Sequence, residues 1–295
     1  MSLHVVGSIA QAKKIVTVRL HGAGIDTAHL DARLLVNHAV NRDPGWIVGN
    51  PESILSSSQW DHLEGLVKRR ERREPLAYIF GRKEFWSFDF RVNSATLIPR
   101  PESETLVQAT LERLPHGRDT RILDLGTGTG CLLLAILSER LDTQGLGVDN
   151  NVAALEIARS NAVELGFTAR TVFRESSWFS ALNADVEGGF DAIVTNPPYV
   201  MDAKLKTLAP EITSYEPEKA FRGGADGLDA YRKIFAGLPN FLCPGGLFVG
   251  EFGSGQVKAV QALAQNAGLA IIDVKNDLAG EPRVIIASTP KDRKN

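Results

Sequence analysis

Asn196, Pro197, Pro198 and Tyr199 follow a short apolar run from Asp191 to Thr195, which Gly188-Gly189 bounds upstream. The four residues therefore stand at the carboxyl end of an expected strand. Open α/β sheets bind ligands in the crevice outside such strand ends. The Asn196 amide brings one acceptor and two donors, and the Pro197 carbonyl a further acceptor. The two prolines fix φ and remove two backbone donors, so the turn is stiff. Tyr199 adds an aromatic wall. A planar group carrying an NH₂ fits this corner, its hydrogens accepted by oxygens and its plane against the ring. A rigid turn after a strand is the plain alternative reading of the tetrapeptide.

A second cluster lies upstream. Arg121 to Leu125 reads as a strand running into Gly126-Thr127-Gly128-Thr129-Gly130, and the apolar stretch Cys131 to Leu137 reads as a helix. Three glycines let the backbone approach a ligand where a side chain would block it, although the spacing is not the G-x-G-x-x-G of a dinucleotide site. The next expected strand ends at Asp149, nineteen residues beyond Gly130, where a carboxylate can accept both hydroxyls of a ribose. Strand, glycine turn, helix, strand and acid form a nucleoside-binding half. Asp124, Gly126, Thr127, Gly128, Gly130 and Asp149 are its candidate contacts, with Asn196 at its border. Trp178 and Phe179 follow the third expected strand, and an aromatic there can lie against an adenine or pack in the core.

The pair DLGTGTG (124–130) and NPPY (196–199) resembles the class I S-adenosylmethionine-dependent methyltransferases that modify planar amino groups. Within them the chain is similar to the release-factor glutamine methyltransferases, which methylate the side-chain amide of the Gln in a Gly-Gly-Gln loop. The likeness extends over EPLAYIFGRKEFW (74–86), LIPRPESE (97–104), SYEPEKAFRGGADGLDAYRKI (214–234) and DLAGEPRVIIA (277–287). NPPY alone is shared with DNA adenine methyltransferases; its combination with IPRP and GGADGLD is more specific. The resemblance implies S-adenosyl-L-methionine as cofactor and class 1 release factors as protein substrate. It also implies a Rossmann-like α/β methyltransferase sheet with an antiparallel last strand, preceded by a small helical domain that helps hold the release factor. Asn196, Pro197 and Tyr199 become the expected catalytic residues. Pro198, Arg100 and Glu102 join them as substrate contacts, and the segment after Pro75 is expected to border the cleft. One departure from the family stands at Ser176-Ser177, where a Gly-Asp usually precedes the tryptophan, so the usual acid for the adenine amino group is missing.

Methyl transfer from a sulfonium is an in-line displacement that needs neither a metal nor a covalent enzyme intermediate, and no metal site is expected. A carboxamide nitrogen is a poor nucleophile, so alignment and acceptors for its developing charge are what a protein can contribute. Two other functions fit parts of the pattern. An N6-adenine methyltransferase would use the same corner on a flipped base but would want a basic recognition surface. A non-catalytic nucleoside-binding partner would need the glycine turn and Asp149 but not Asn196.

The elements that must position these residues divide the chain in three. Residues 1–75 read as helices: an apolar stripe of Ile9, Ile15, Val16 and Leu20 ending at Gly22-Ala23-Gly24; a second helix capped by Asp26 and carrying Leu30, Leu34 and Leu35; and a third from Ser57 or Ser58 with Trp60, Leu63, Leu66 and Val67. Residues 76–100 are expected to form a hairpin-containing linker whose aromatics alternate. Residues 101–295 carry strands near 121–125, 145–149, 169–173, 191–195, 245–251, 269–275 and 282–288. Only the six residues 276–281 separate the last two strands, too few for a parallel crossover, so they should pair antiparallel. The stretch between NPPY and the next helix is too long for an ordinary connection and reads as a binding loop, with Asp226 as a helix cap. Glu251 ends the fifth strand near the cleft.

With 33 basic and 35 acidic residues, a formal charge of −2 leaves no global footprint for nucleic acid, and no direct DNA partner is expected. The one concentrated basic run, residues 68–73, reads either as a solvated helix end or as a partner contact. Cys131 and Cys243 read as free thiols. Neither a signal segment nor an eighteen-residue apolar span is present. A soluble, cytoplasmic monomer is expected.

Overall fold

The computed structural model describes residues 7–291. The chain forms two units, one from the chain up to Gly81 together with Ala209–Tyr215, the other from Arg82–Leu208 and the chain from Glu216 onward. The helical unit thus extends past residue 75, and the hairpin belongs to the second unit instead of forming a separate linker.

The helical unit opens with α1 (Ile9–Gly22), started by a capping box in which Ser8 and Gln11 satisfy each other's backbone N–H. Its buried stripe is Ile9, Ala12, Val16 and Leu20; Ile15 falls one residue off that spacing and is exposed. In α2 (Ala28–Val40) the helix starts after Thr27, one residue beyond the expected Asp26 cap. Ala28, Ala32, Leu35, Val36 and Ala39 are buried, while Leu30 is on the outer face and Leu34 is half-buried. Ala in place of Leu on the inner face lets the helix lie close to its neighbour. A short α3 (Pro44–Gly49), unforeseen in the sequence, has Pro44 in its first turn and Asp43 accepting from the N–H groups of Gly45 and Trp46. A second capping box, Ser56 with Gln59, starts α4 (Ser57–Glu71), which buries Leu63, Leu66 and Val67 with Trp60 half-buried. α5 (Leu76–Phe80) ends at Gly81 in the left-handed region.

The basic run is only in part a solvated helix end: Lys68 and Arg72 are exposed, while the remaining arginines are engaged within the unit. Arg70 is only 6% exposed; its Nε donates to Asp31 at 2.7 Å and its Nη1 to Glu211 at 3.0 Å. Arg73 reaches the other Glu211 oxygen at 2.9 Å, Arg69 pairs with Glu74, and Lys68 with Glu64. The Tyr215 hydroxyl donates to the Arg72 carbonyl. Glu211 and Tyr215 lie on the helix Pro210–Tyr215. Part of the long stretch after NPPY is therefore a structural member of the helical unit, fastened by ion pairs.

The second unit starts with the hairpin β1 (Arg82–Phe85) and β2 (Phe88–Arg91), paired antiparallel. Trp86 and Ser87 at its tip both have positive φ, 51° and 60°, the signature of a turn whose twist matches the strands. Phe85 and Phe90 are buried in the core, each contributing about 1.5–3 kcal/mol by burial. Then follow α6 (Glu104–Leu111), β3 (Thr120–Leu125), α7 (Cys131–Glu139), β4 (Thr143–Asp149), α8 (Val152–Glu164), β5 (Thr171–Glu175), the short α9 (Ala184–Glu187) and β6 (Phe190–Thr195). After β7 (Val200–Met201), α10 (Pro210–Tyr215, above) and β8 (Arg222–Gly224) come α11 (Asp229–Gly237), β9 (Leu242–Glu251), α12 (Val257–Asn266), β10 (Ala270–Asn276) and β11 (Pro282–Ser288).

Seven strands form one sheet in the order β10-β11-β9-β6-β3-β4-β5. The pairs from β9 to β5 are parallel, and β11 runs antiparallel to both β9 and β10, as the short final connection requires. β5 begins two residues later than expected because Thr168–Arg170 form a 3₁₀ turn. All six residues of β6 are buried, and so are Leu132 to Leu137 of α7. The result is a sheet packed on both faces, which explains why the central strands read as continuous apolar runs instead of alternating ones. The strand order reverses beside β3, so the carboxyl ends of β3, β4 and β6 open at a switch point.

Candidate active site

The turn after β3 is built on three glycines with positive φ: Gly126 (73°), Gly128 (54°) and Gly130 (79°). The N–H groups of Gly126 and Thr127 donate to the Val148 carbonyl at 2.8 and 2.9 Å, which fastens the turn to β4. At the end of β4 the Asp149 carboxylate accepts from the Gly128 N–H at 3.0 Å and the Asn151 N–H at 2.9 Å. Each of its oxygens keeps lone-pair capacity for a further donor. Burial pushes the Asp149 carboxyl up, and those backbone donors oppose the shift. Gly147 leaves room for this arrangement: a Cβ there would come within 2.7 Å of Phe173 and 2.8 Å of the Thr127 hydroxyl.

Below the turn lies Asp124, fully buried. Its Oδ2 accepts from Thr127 Oγ1 at 2.7 Å, while Oδ1 makes no hydrogen bond among the described residues. Burial pushes this carboxyl up to about 7, opposed by the Thr127 hydroxyl and reinforced by the Asp149 charge. A buried carboxyl with an unpartnered oxygen is stabilised by any donor or cation brought near.

A cavity of about 460 Å³ opens over the turn. Gly126, Thr127, Gly128, Asp149, Trp178, Asn196, Pro198 and Arg100 line it, together with Leu97, Pro99, Ser103, Asn150, Asn151 and the stretch Pro217–Ala220. The candidate nucleoside half and the amide-binding corner therefore share one space. Of the expected site residues, Asp124, Pro197, Tyr199, Gly130 and Glu102 are not on its wall. Asp124 lies beneath, Pro197 is buried, and Gly130 starts α7 with its α-carbon side against Leu134, Ala158 and Phe173. Glu102 is exposed. The hairpin aromatics do not line the cavity either; Phe85 and Phe90 are core residues.

Trp178 takes the cavity position expected of an aromatic there, whereas Phe179 stacks on Phe241 in the core, ring centroids 4.6 Å apart. The Trp178 backbone has φ 55°, a conformation that costs a bulky residue on the order of 1–3 kcal/mol. Ser176 holds it: its hydroxyl donates to the Trp178 carbonyl at 2.8 Å and accepts from the Ala181 N–H at 3.1 Å. These bonds use the Ser176 proton and one of its two lone pairs, and Ser176 lies on the cavity wall.

Asn196 presents its Nδ2 to Ser103 Oγ at 3.1 Å. Ser103 donates in turn to Glu251 Oε2 at 2.5 Å, and the Tyr199 hydroxyl donates to Glu251 Oε1 at 3.0 Å. Glu251 is 1% exposed. Burial raises its pKa, opposed by the two hydroxyls and by Arg283. Tyr199 is held far above the ordinary phenol range by burial and by the Glu251 charge, so it stays protonated and cannot serve as a base.

Arg100 pairs with Glu216 at 2.5 Å, and the other Glu216 oxygen accepts from the Ile98 N–H at 3.0 Å. Glu216 is buried and fixes the wall made by Leu97, Pro99 and Arg100. Sequence reasoning missed Glu216 and Ser103. The available signals were an acid wedged between Tyr215 and Pro217, and a serine at the start of a helix; in the structure Ser103 does not cap α6, because its backbone is already helical (φ −70°, ψ −14°) and continues the turn Pro101–Ser103. Asp226 accepts from the Leu228 N–H and pairs with exposed Arg232, a structural role.

The model of the PrmC N-terminal domain matches residues 11–81, and that of the methyltransferase small domain matches residues 103–225. A release factor glutamine methyltransferase from Rhodospirillum rubrum is 42% identical over 269 residues, which covers 91% of this chain and 81% of that protein. One from Caulobacter vibrioides is 41% identical over 268 residues, covering 91% and 92%. Among solved structures, a methyltransferase from Pyrococcus furiosus superimposes with a TM-score of 0.54 at 18% identity, over 76% of this chain and 98% of its own; that likeness concerns the fold.

Proposed function

The chain belongs to the release factor glutamine methyltransferase family, and from that membership we propose how its cavity transfers a methyl group from S-adenosyl-L-methionine to the side-chain amide nitrogen of the Gln in a release factor's Gly-Gly-Gln loop. The observation that carries the reading is the shared cavity: the glycine turn with Asp149 at one side and Asn196 at the other. The residues present fit the cofactor. The 126–130 turn admits close backbone approach, Asp149 has free lone pairs for the ribose hydroxyls, and Trp178 offers a face for the adenine. When bound, the cofactor supplies a methyl group on a sulfonium sulfur, a good leaving group.

The protein's own contribution is placement and charge. The amide nitrogen has its lone pair delocalised into the carbonyl, so it becomes positive as it forms the new bond. Asn196 Oδ1 and the Pro197 carbonyl accept its hydrogens and oppose that charge; preorganised acceptors need no reorientation at the moment of reaction. Pro198 and the stiff turn keep the two acceptors in fixed relation. Tyr199, locked to Glu251, limits the space for the amide plane. Arg100 shapes the wall from its pairing with Glu216, and Glu102 serves the release factor from the exposed edge. The nitrogen's surplus proton leaves to solvent. Among the described residues no helix is long and apolar enough to cross a membrane.

Two measurements test this. With labelled cofactor and a class 1 release factor, peptide mapping is expected to find the label on the Gln of Gly-Gly-Gln and none when that Gln is replaced. Label on lysine, or on DNA alone, overturns the substrate assignment. In calorimetry, Asp149→Ala should weaken S-adenosylmethionine binding by about 1–3 kcal/mol, the scale for truncating a hydrogen-bonded charged group. Unchanged affinity removes Asp149 from the ribose role, and preferential NAD binding overturns the cofactor.

A further inference from the structure

Glu251 reaches the Asn196 side chain through a single hydroxyl, and the hydrogen-bond directions along that path are forced. With Glu251 ionised, the state that its two hydroxyl partners and the Arg283 charge favour against burial, the carboxylate only accepts, so Ser103 at 2.5 Å and Tyr199 at 3.0 Å both donate to it. Ser103 has one proton. Once that proton points at Glu251, the Ser103 oxygen can only accept from its other neighbour, and the Asn196 atom at 3.1 Å must be the NH₂ end. The carbonyl end, Oδ1, is then the free end of Asn196, which lines the cavity. An asparagine turned over would offer a donor to the substrate NH₂ and repel it.

We propose that Glu251 is a positioning residue: acting through Ser103, its carboxylate sets which end of the Asn196 amide meets the substrate. The inference rests on the reading of Asn196 as the amide acceptor. It also accounts for features otherwise without purpose, an acid 1% exposed at the end of β9 and a serine at the start of α6 that caps nothing. The Tyr231 hydroxyl donates to the Glu251 backbone carbonyl, so the acid is held from behind as well.

Glu251→Gln is the revealing variant. In Glu251→Gln the side chain keeps its shape but gains a donor. If its NH₂ faced Tyr199, the phenol proton would lose its acceptor in a buried place. If it faces Ser103, Tyr199 keeps an acceptor, Ser103 must accept, and the freed Ser103 proton bonds Asn196 Oδ1 after the amide turns over. The second arrangement satisfies every group, so the variant should lock Asn196 the wrong way round. Ser103→Ala merely releases Asn196, and combining it with Glu251→Gln removes the wrong lock.

The test is single-turnover methylation of a release factor with saturating cofactor. The expected losses are about 100-fold for Glu251→Gln, the scale for losing one preorganised group, and about tenfold for Ser103→Ala. The double variant should match Ser103→Ala, so that the second substitution partly rescues the first. Losses that multiply in the double variant would mean that Glu251 only supports the fold, and they overturn the proposal. A readout without substrate accompanies it: the Asn196 side-chain NH₂ resonances in ¹⁵N spectra should move in both single variants, while calorimetric cofactor affinity stays near that of the parent. If Glu251→Gln does not fold, Ser103→Ala decides alone, since an unchanged Asn196 resonance and rate there also overturn the relay. A parent protein that fails to label the release factor would instead count against the function proposed above, with the resonance shifts still reporting on the relay.

Discussion

Asn196→Ala should fold, keep nearly normal affinity for S-adenosylmethionine, and lose about 10²–10³ in kcat, equivalent to about 2.7–4 kcal/mol of transition-state stabilisation. The reason is local. The 126–130 turn and Asp149 are held by backbone bonds to Val148, Gly128 and Asn151, none of which involves Asn196. What the substitution removes is one of two acceptors for the amide hydrogens, and with it opposition to the charge that grows on nitrogen. Asn196→Asp retains an oxygen yet should be equally impaired. Its carboxylate would face a Ser103 oxygen whose only proton already serves Glu251, so a lone pair meets a lone pair. Single-turnover methylation at saturating cofactor and release factor isolates these effects from product release. A normal single-turnover rate for folded Asn196→Ala would end the catalytic role given to it, even in an active methyltransferase.

The second large effect is on stability. Arg70→Met is expected to destabilise the helical unit by about 3–5 kcal/mol, because it strands Asp31, 3% exposed, without its cationic partner. Replacing both groups, as Asp31→Leu with Arg70→Met, should be much milder, since no charge then remains buried without a partner. The exposed neighbour gives the contrast: Lys68→Met breaks a pair with Glu64 at the surface and should cost less than about 1 kcal/mol. Urea unfolding of the full chain measures the totals, and hydrogen exchange in α2 and α4 shows whether the loss is in the helical unit. An Arg70→Met protein as stable as the parent would mean that Asp31 finds other solvation. It would also remove the anchoring role from Glu211, which accepts from the same guanidinium.

The amino-acid sequence by itself determined the parts of this protein that depend on short-range pattern. Apolar runs bounded by glycine located all seven strands of the main sheet, and a short final connection dictated the antiparallel β11. The glycine turn, Asp149 and Asn196 were legible because each follows a strand end, and strand ends in such sheets converge on a common crevice. Helix faces were less legible. Ile15 and Leu30 read as core and lie outside, because Ala12 and Ala32 occupy the inner positions and periodicity gives little weight to alanine. Only the tertiary structure decided which polar side chains meet across long separations. Ser103 and Glu251 are 148 residues apart, Ile98 and Glu216 are 118, and Arg70 and Glu211 are 141. Nothing in the local sequence of a serine before a helix says that its proton will be taken by an acid from another strand. Nor does an arginine-rich helix end announce that two of its cations will hold a distant glutamate. Those pairings follow from desolvation: a charge or hydroxyl that the fold buries must find a partner there, and which partner is in reach is fixed by the packing of whole elements.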